Sequence, residues 1–144
     1  MSRVFVDTNT LVYVDQAESA FHVRARAALG SLEAEGAELW ISRQVLREYL
    51  AAVARPGRTG AAPMTRAEAA TATEGFVTAY HMAEDGADAT YQLPDLVRRV
   101  PRGGKQVHDA NIVATMLAHR ISRPLTFNLP DFRRFAGLIE LVIP

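Results

Sequence analysis

With 144 residues, 49% of them hydrophobic and 22% charged, the chain is long enough to bury a core and has the composition of a globular protein. Its sixteen basic and sixteen acidic residues exclude a bulk attraction of the whole molecule for nucleic acid, and the absence of cysteine excludes disulfides, thiolate nucleophiles and cysteine-ligated zinc. No apolar run approaches the roughly 20 residues of a membrane helix, and the N-terminal residues lack the apolar core of a signal peptide. We therefore expect a single domain over residues 1–144, located in the cytoplasm.

The first part of the chain alternates predicted strands with predicted helices. Residues 4–6 form a β-branched and aromatic run that predicts a buried strand, and residues 38–41 predict a second strand. Apolar residues at helical spacing predict a helix over about 20–32. Ser42 is a suitable N-cap for a further helix, which should end before the loop at 56–60. The predicted buried stripe of that helix consists of Val45, Tyr49, Ala52 and Val53.

The remainder of the chain continues this alternation. Thr65-Arg66-Ala67-Glu68 matches the capping-box pattern and predicts a helix start, whereas Pro94 should break or kink a helix that contains it. Predicted helices cover about 65–77, 85–100 and 107–120, and predicted strands cover 80–83, 124–128 and 138–143. Strands that alternate with helices predict an α/β fold with right-handed crossovers and a mainly parallel sheet of four to five strands.

Three acidic residues occupy corresponding places in this pattern. Asp7 ends the first predicted strand, Glu48 lies two turns into the helix after the second strand, and Asp109 lies in the first turn of the predicted helix at 107–120. In a parallel sheet, all three positions lie at the carboxyl edge, where open α/β sheets bind ligands. Clustered carboxylates repel one another unless a cation neutralises them. Because cysteine is absent and the histidines show no ligand spacing, we expect a hard cation, Mg²⁺ or Mn²⁺.

Each of these acids also has a structural explanation. Asp7 could cap the segment that follows it, and Glu48 could form an ion pair with Arg47 or another arginine. Asp109 would be favoured by the helix dipole in a first turn without any catalytic role. However, both helical acids have apolar neighbours on their own helix face, and a carboxylate at the end of a buried strand needs a partner. The pattern therefore favours the metal-ligand interpretation.

A fourth polar position is Asn128, which ends the predicted strand at 124–128, level with Asp7, and offers a neutral oxygen or an amide. Asp131 is interpreted as structural, for example as the N-cap of a short helix. His108 is interpreted as a surface or packing residue rather than as a general base. Three further side chains could orient ligands or water: Thr8, Asn9 and Thr126.

Basic residues are concentrated in one segment, 98–134, which contains eight of them and two acidic residues. Arginine suits bidentate phosphate contacts, so this segment could bind RNA. Every basic residue of the chain except Lys105 is an arginine, however, so a compositional habit explains the segment equally well. Both interpretations stay open. The basic residues are Arg98, Arg99, Arg102, Lys105, Arg120, Arg123, Arg133 and Arg134.

Four motif-bearing segments follow one another along nearly the whole chain: Val6-Asp7-Thr8-Asn9, Ile41 to Tyr49, Val107 to Ala114, and Leu125 to Phe132. Together they resemble the motifs of PIN-domain proteins of the VapC toxin type. The resemblance implies a three-layer α/β/α fold and a Mg²⁺- or Mn²⁺-dependent endoribonuclease that leaves a 5′-phosphate and a 3′-hydroxyl. It also implies a homodimer inhibited by a small cognate antitoxin, whose C-terminal segment enters the acidic groove.

The resemblance also assigns roles to individual residues. Asp7 and Asp109 would be the principal metal ligands, and Glu48 would complete the site directly or through water. Many PIN domains carry Asp where this chain has Asn128, so the number of metal ions stays open. Two other classes remain as alternatives: a catalytically silent PIN-fold module that binds protein or RNA, and a Mg²⁺-binding receiver or phosphatase-like domain. The latter requires a suitably placed lysine or a D-x-D pattern, and the residues after Asp7 do not match it.

Overall fold

The computed structural model describes residues 2–55 and 63–144, and its centre is a four-stranded parallel sheet. The strands are β1 (Arg3–Val6), β2 (Glu38–Ser42), β3 (His81–Ala83) and β4 (Arg123–Leu125). Their order in the sheet is β3-β2-β1-β4, and every neighbouring pair is parallel. The prediction of an α/β fold with a parallel sheet of four to five strands is therefore confirmed. The predicted loop at 56–60 lies outside the described residues.

Helices cover both faces of this sheet. In chain order they are α1 (Thr8–Asp15), α2 (His22–Ala34), α3 (Arg43–Val53), α4 (Arg66–Ala79), α5 (Ala87–Val97), α6 (Lys105–Ala118) and α7 (Leu129–Arg133). The chain steps from β1 to β2 to β3 in one direction, so right-handed crossovers keep α1 to α4 on one face. The chain then returns from β3 to β4, on the other side of β1, which reverses that direction. This reversal places α5 and α6 on the opposite face of the sheet, where they pack against each other.

The core forms around β1, whose residues 4–6 are fully buried between the two helical layers. A strand covered on both faces is apolar throughout rather than alternating, which explains this continuous apolar run. Helix α3 packs one apolar face against the same core. Its predicted buried stripe is confirmed at Val45, Tyr49 and Val53, whereas Ala52 is exposed.

Two predicted helix caps are present. The Ser42 hydroxyl accepts a hydrogen bond from the Val45 N–H at 3.3 Å, and the Thr65 hydroxyl accepts one from the Glu68 N–H at 3.1 Å. Each bond satisfies a donor that the first turn of a helix leaves unpaired. These caps begin α3 and α4 where the sequence predicts helix starts. None of the helices in the described ranges is long and apolar enough to cross a membrane.

Some helix boundaries differ from the predictions. The sequence pattern does not predict α1, because Thr and Asn at residues 8–10 have low helix propensity. Helix α6 begins at Lys105, so Asp109 lies in its second turn rather than in its first. Pro94 does not end α5, which continues beyond it.

The strands after α6 are shorter than predicted. β4 ends at Leu125, so the predicted strand at 124–128 is too long. Beyond the end of β4, the backbone N–H groups of Phe127 and Asn128 donate to side chains, to Asn9 Oδ1 at 3.2 Å and to Thr126 Oγ1 at 3.0 Å. The predicted fifth strand at 138–143 does not form; this segment takes part only in isolated bridges, between Val142 and Leu125 and between Ile139 and Ala136.

Candidate functional site

A groove of about 500 Å³ lies at the carboxyl edge of the sheet. The strand order reverses its direction between β1 and β4, and this is where open α/β sheets bind ligands. The groove is lined by residues that are far apart in the sequence. All four predicted site residues contribute to it: Asp7, Glu48, Asp109 and Asn128.

Asp7 follows directly after β1 and is only 6% exposed. Its Oδ1 accepts a hydrogen bond from the Thr8 N–H at 2.8 Å, and its Oδ2 accepts bonds from the Thr126 hydroxyl at 2.8 Å and the Asn9 amide at 3.3 Å. Burial raises the pKa of Asp7 to about 6; these hydrogen bonds oppose the rise, and the charge of Glu48 adds to it. Asp7 is thus both the N-cap of α1 and a carboxylate of the groove.

Asp109 reaches the groove from α6. Its Oδ2 is buried and has no hydrogen-bond partner among the described residues. Burial, followed by the charges of Asp7, Asp131 and Glu48, raises the pKa of Asp109 to about 7, against an opposing effect of Lys105. A buried carboxylate oxygen without a donor is costly, so a proton or a cation at this atom would be favourable. The dipole explanation fails, because this residue lies beyond the first turn of α6.

Glu48 is partly buried and is held by neutral donors. Its Oε2 accepts a hydrogen bond from the Thr8 hydroxyl at 2.8 Å, and its Oε1 accepts one from the Gln44 amide at 2.9 Å. Within the described residues Glu48 forms no ion pair, so the alternative of a bond to Arg47 is not realised. Its negative charge is therefore not neutralised by an arginine and adds to that of the groove.

The fourth predicted site residue, Asn128, is not aligned with Asp7 across the sheet as predicted. The Asp7 N–H donates to the Leu125 carbonyl at 3.0 Å, so Thr126, and not Asn128, lies level with Asp7. Asn128 lines the groove from the start of α7, and its amide donates to Asp131 Oδ2 at 2.7 Å. Asn128 occupies the N-cap position of that helix, and Asp131 lies in its first turn. The suggestion that Asp131 is the N-cap is therefore wrong.

The donor set of the groove fits a hard divalent cation. The described ranges contain no group of three His, Cys, Asp or Glu side chains placed to hold a metal ion together. Mg²⁺ does not require three, because it keeps several waters and is usually bound through one or two carboxylates. Asp7 and Asp109 line the groove and supply two carboxylates, and Oδ2 of Asp109 accepts no hydrogen bond among the described residues.

Sequence comparison identifies the family. The family described as PIN domain matches residues 4–138, a range that contains all of the sheet except Arg3 and all the residues of the groove. The chain belongs to the PIN domain family. No curated protein is similar enough in sequence to count as a match.

Solved structures of toxin–antitoxin proteins share this PIN fold over nearly the full chain. VapBC2 from Rickettsia felis, bound to a promoter DNA fragment, is 19% identical with a TM-score of 0.73, and the match covers 99% of this chain and 98% of that chain. VapC20 from Mycobacterium tuberculosis, a toxin that cleaves the sarcin-ricin loop, is 22% identical with a TM-score of 0.68, covering 95% and 97%. DNA-bound VapBC from Salmonella typhimurium is 19% identical with a TM-score of 0.68, covering 99% and 98%. At these identities the similarity establishes the fold.

Sequence reasoning missed two features of the PIN-domain groove. Gln44 is 7% exposed and donates hydrogen bonds to Glu48 and to the His108 carbonyl. The sequence contained one indication of the contact with Glu48: Gln44 is a polar residue one helical turn before Glu48, next to the apolar stripe of α3. Lys105, predicted only as part of the basic segment, lines the groove. The side chain of His108 is exposed at the rim, in agreement with its interpretation as a surface residue.

The basic segment 98–134 is not gathered around the groove. Lys105 lines the groove, whereas Arg123 opens β4 at the opposite edge of the sheet. Arg98 forms an exposed ion pair with Asp95. Contact between this segment and RNA stays a prediction. Lys105 is the residue of the segment for which we expect such a contact, because it lines the groove.

Proposed function

We propose that this PIN domain is a Mg²⁺- or Mn²⁺-dependent endoribonuclease that hydrolyses RNA phosphodiester bonds and acts as the toxin of a VapBC-type toxin–antitoxin pair. The observation that carries this proposal is the buried, unpaired Oδ2 of Asp109 in a groove shared with Asp7 and Glu48. Such a cluster is unfavourable without a cation. Carboxylates whose pKa values are raised by burial and by one another are also typical of functional sites in clefts.

The acidic residues have separate roles in this proposal. Asp7 and Asp109 hold the ion, and Glu48 completes the site directly or through water. A bound Mg²⁺ supplies Lewis acidity toward water and the phosphodiester, together with positive charge that stabilises the transition state. Hydroxyl groups orient the acids: Thr126 holds the Asp7 carboxylate, and Thr8 holds that of Glu48.

Two residues at the rim complete the proposed site. Lys105 lines both the acidic groove and an adjoining cavity of about 330 Å³. Its ammonium group can neutralise a phosphate of the RNA backbone, which offsets the repulsion between RNA and the acids. Asn128 lines both spaces as well and can contact the substrate with a neutral side chain that adds no negative charge.

The proposal includes protein partners. Because solved structures with this fold include VapBC complexes, we propose a small VapB-like antitoxin that inhibits this chain. We also propose a homodimer, which rests only on the resemblance to VapC-type toxins. The proposed active unit is one domain over residues 1–144, acting in the cytoplasm. Co-expression with a small DNA-binding protein encoded beside its gene, followed by co-purification and relief of growth arrest, tests the partner.

A cleavage assay tests the enzymatic proposal. Antitoxin-free protein should cut RNA in Mg²⁺ or Mn²⁺ and stop when the metal is chelated. Asp7→Asn and Asp109→Asn should each reduce the rate by orders of magnitude, whereas Asp88→Asn, an exposed acid on α5, should keep the parental rate. Parental cleavage by Asp7→Asn would contradict the proposed mechanism.

One observation favours the alternative of a catalytically silent binding module. The described residues do not place three acidic or histidine side chains around one ion, and the fourth position is the neutral Asn128. The same assay separates the two functions. A silent module would bind RNA or protein without any metal-dependent cleavage, and Asp7→Asn would leave that binding unchanged.

A further inference from the structure

Gln44 forms a hydrogen-bonded link between the two helices that carry Glu48 and Asp109. Its Nε2 donates to Glu48 Oε1 at 2.9 Å and to the His108 carbonyl oxygen at 3.0 Å. The first bond lies within α3, and the second reaches α6 at the residue directly before Asp109. Gln44 is 7% exposed, so little water competes for these bonds.

The orientation of the Gln44 amide is determined by a further contact. Its Oε1 accepts a hydrogen bond from the Asn111 Nδ2 at 2.8 Å, and the same Asn111 amide donates to Asp85 at 3.0 Å. With the amide oxygen engaged on that side, both N–H groups must face Glu48 and the His108 carbonyl. The amide is therefore locked in one orientation, which a freely rotating side chain would not be.

The position of this link matters because the carboxylates it joins repel each other. Glu48 lies on a helix of one face of the sheet and Asp109 on a helix of the other, and the charge of Glu48 contributes to the raised pKa of Asp109. Repulsion favours their separation, whereas a shared cation requires a fixed spacing. An uncharged amide can bridge the two helices without adding charge to the groove.

We infer that Gln44 is a positioning residue that sets the spacing between Glu48 and Asp109 for metal binding, with Asn111 orienting its amide. This inference rests on the proposed metal-dependent function. It differs from a general structural role, in which the link would only hold α3 against α6. A structural link changes the stability of the fold, whereas a positioning link also changes the affinity for the metal.

The experiment compares two variants in which a buried side chain of α3 loses its hydrogen bonding. Gln44→Met keeps the side-chain length and removes both polar functions. Tyr49→Phe is the matched control, because it removes the bond from the Tyr49 hydroxyl to Asp15 at 2.5 Å, and neither residue lines the groove. Mn²⁺ affinity is measured by electron paramagnetic resonance titration without RNA, and stability by urea unfolding.

Both variants should be less stable than the parent protein, but only Gln44→Met should bind Mn²⁺ more weakly. The expected loss of affinity is about tenfold or more, which is the usual effect of removing a group that orients a metal ligand. In the cleavage assay, Gln44→Met should lower kcat and leave KM for RNA unchanged, because the buried amide does not contact RNA. If Gln44→Met does not fold, Asn111→Ala tests the same arrangement, since it removes the donor that orients the amide, and it should weaken Mn²⁺ binding in the same direction.

The outcomes distinguish this inference from the proposed function. Suppose that the parental protein binds Mn²⁺ and that Asp109→Asn does not. If Gln44→Met, or its substitute Asn111→Ala, then binds Mn²⁺ within about twofold of the parent, the role of Gln44 alone is overturned. Equal weakening of Mn²⁺ binding in Tyr49→Phe also overturns it, because any loss of stability would then have the same effect. Parental protein that binds no Mn²⁺ contradicts the proposed function and this inference together.

Discussion

At the scale of single residues, the two aspartates of the groove are unfavourable in their ionised form. Burial raises the pKa values of Asp7 and Asp109 to about 6 and about 7, although Asp7 accepts three hydrogen bonds. The proton is therefore held more tightly in the folded protein than in the unfolded chain. Without metal, ionisation of these acids costs stability, as is common where residues are arranged for function.

This coupling predicts how the stability of the metal-free protein depends on pH. Below about pH 4, where both acids are protonated in the folded and unfolded chain, their favourable contribution is fully present. It is lost progressively as the pH rises from about 4 and is gone above the folded pKa values of about 6 and about 7, so the parent should become more stable as the pH falls across that range. Asp109→Asn should be more stable than the parent above pH 7 and should respond less to pH. Urea unfolding in chelator measures both effects; a less stable Asp109→Asn protein above pH 7 would mean that Asp109 supports the fold.

Lys105 leads to a prediction about RNA binding. If its ammonium group contacts a phosphate, Lys105→Gln should weaken RNA affinity and reduce the slope of log K against log salt by about 1. Arg123→Gln, at the opposite edge of the sheet, is the control and should change neither quantity. Fluorescence anisotropy at several salt concentrations, in an Asp7→Asn background that prevents cleavage, measures the slope. An unchanged slope in Lys105→Gln would show that this side chain is only solvated.

At the scale of secondary-structure elements, α3 supports both the fold and the site. The same helix buries Val45 and Tyr49 in the core and presents Glu48 to the groove, where Gln44 donates a hydrogen bond to it. Its start is defined by Ser42, which is 1% exposed. The position of the candidate carboxylate along α3 therefore depends on where that cap begins the helix.

A cap substitution tests this dependence. Ser42→Ala leaves the Val45 N–H without its partner, so it should lower the free energy of unfolding by about 1 kcal/mol, measured by urea denaturation. Thr65→Ala removes the equivalent, exposed cap of α4 and is the comparison; water can replace its hydroxyl, so its loss should be smaller. A larger loss in Thr65→Ala would contradict the importance of burial at Ser42.

At the scale of the whole molecule, metal binding should stabilise the fold. A ligand that binds only the folded state at about 100 times its Kd adds about 2.7 kcal/mol to the free energy of unfolding. Mn²⁺ or Mg²⁺ should therefore raise Tm of the parent in a concentration-dependent way, and this increase should vanish in the double variant Asp7→Asn/Asp109→Asn. Thermal unfolding of antitoxin-free protein measures it. An unchanged parental Tm in excess Mn²⁺ would contradict the metal site.

The sequence by itself determined most elements of the fold and the acidic character of the groove. The apolar run at 4–6 and the caps at Ser42 and Thr65 act over a few residues, so a one-dimensional pattern contains them. The meeting of Asp7 and Asp109 also followed from the pattern, because parallel strands end at one edge of a sheet.

Only the tertiary structure decided how the groove is held together. The Thr126 hydroxyl reaches Asp7 across 119 residues of sequence, and the Gln44 amide reaches the His108 carbonyl across 64. The end of β4 likewise depends on a side chain from α1, Asn9, which takes a backbone donor that a longer strand would need. Such bonds, and the burial that raises the carboxylate pKa values, arise when distant segments pack together. Their partners have no fixed spacing along the chain, which is why local patterns did not identify them.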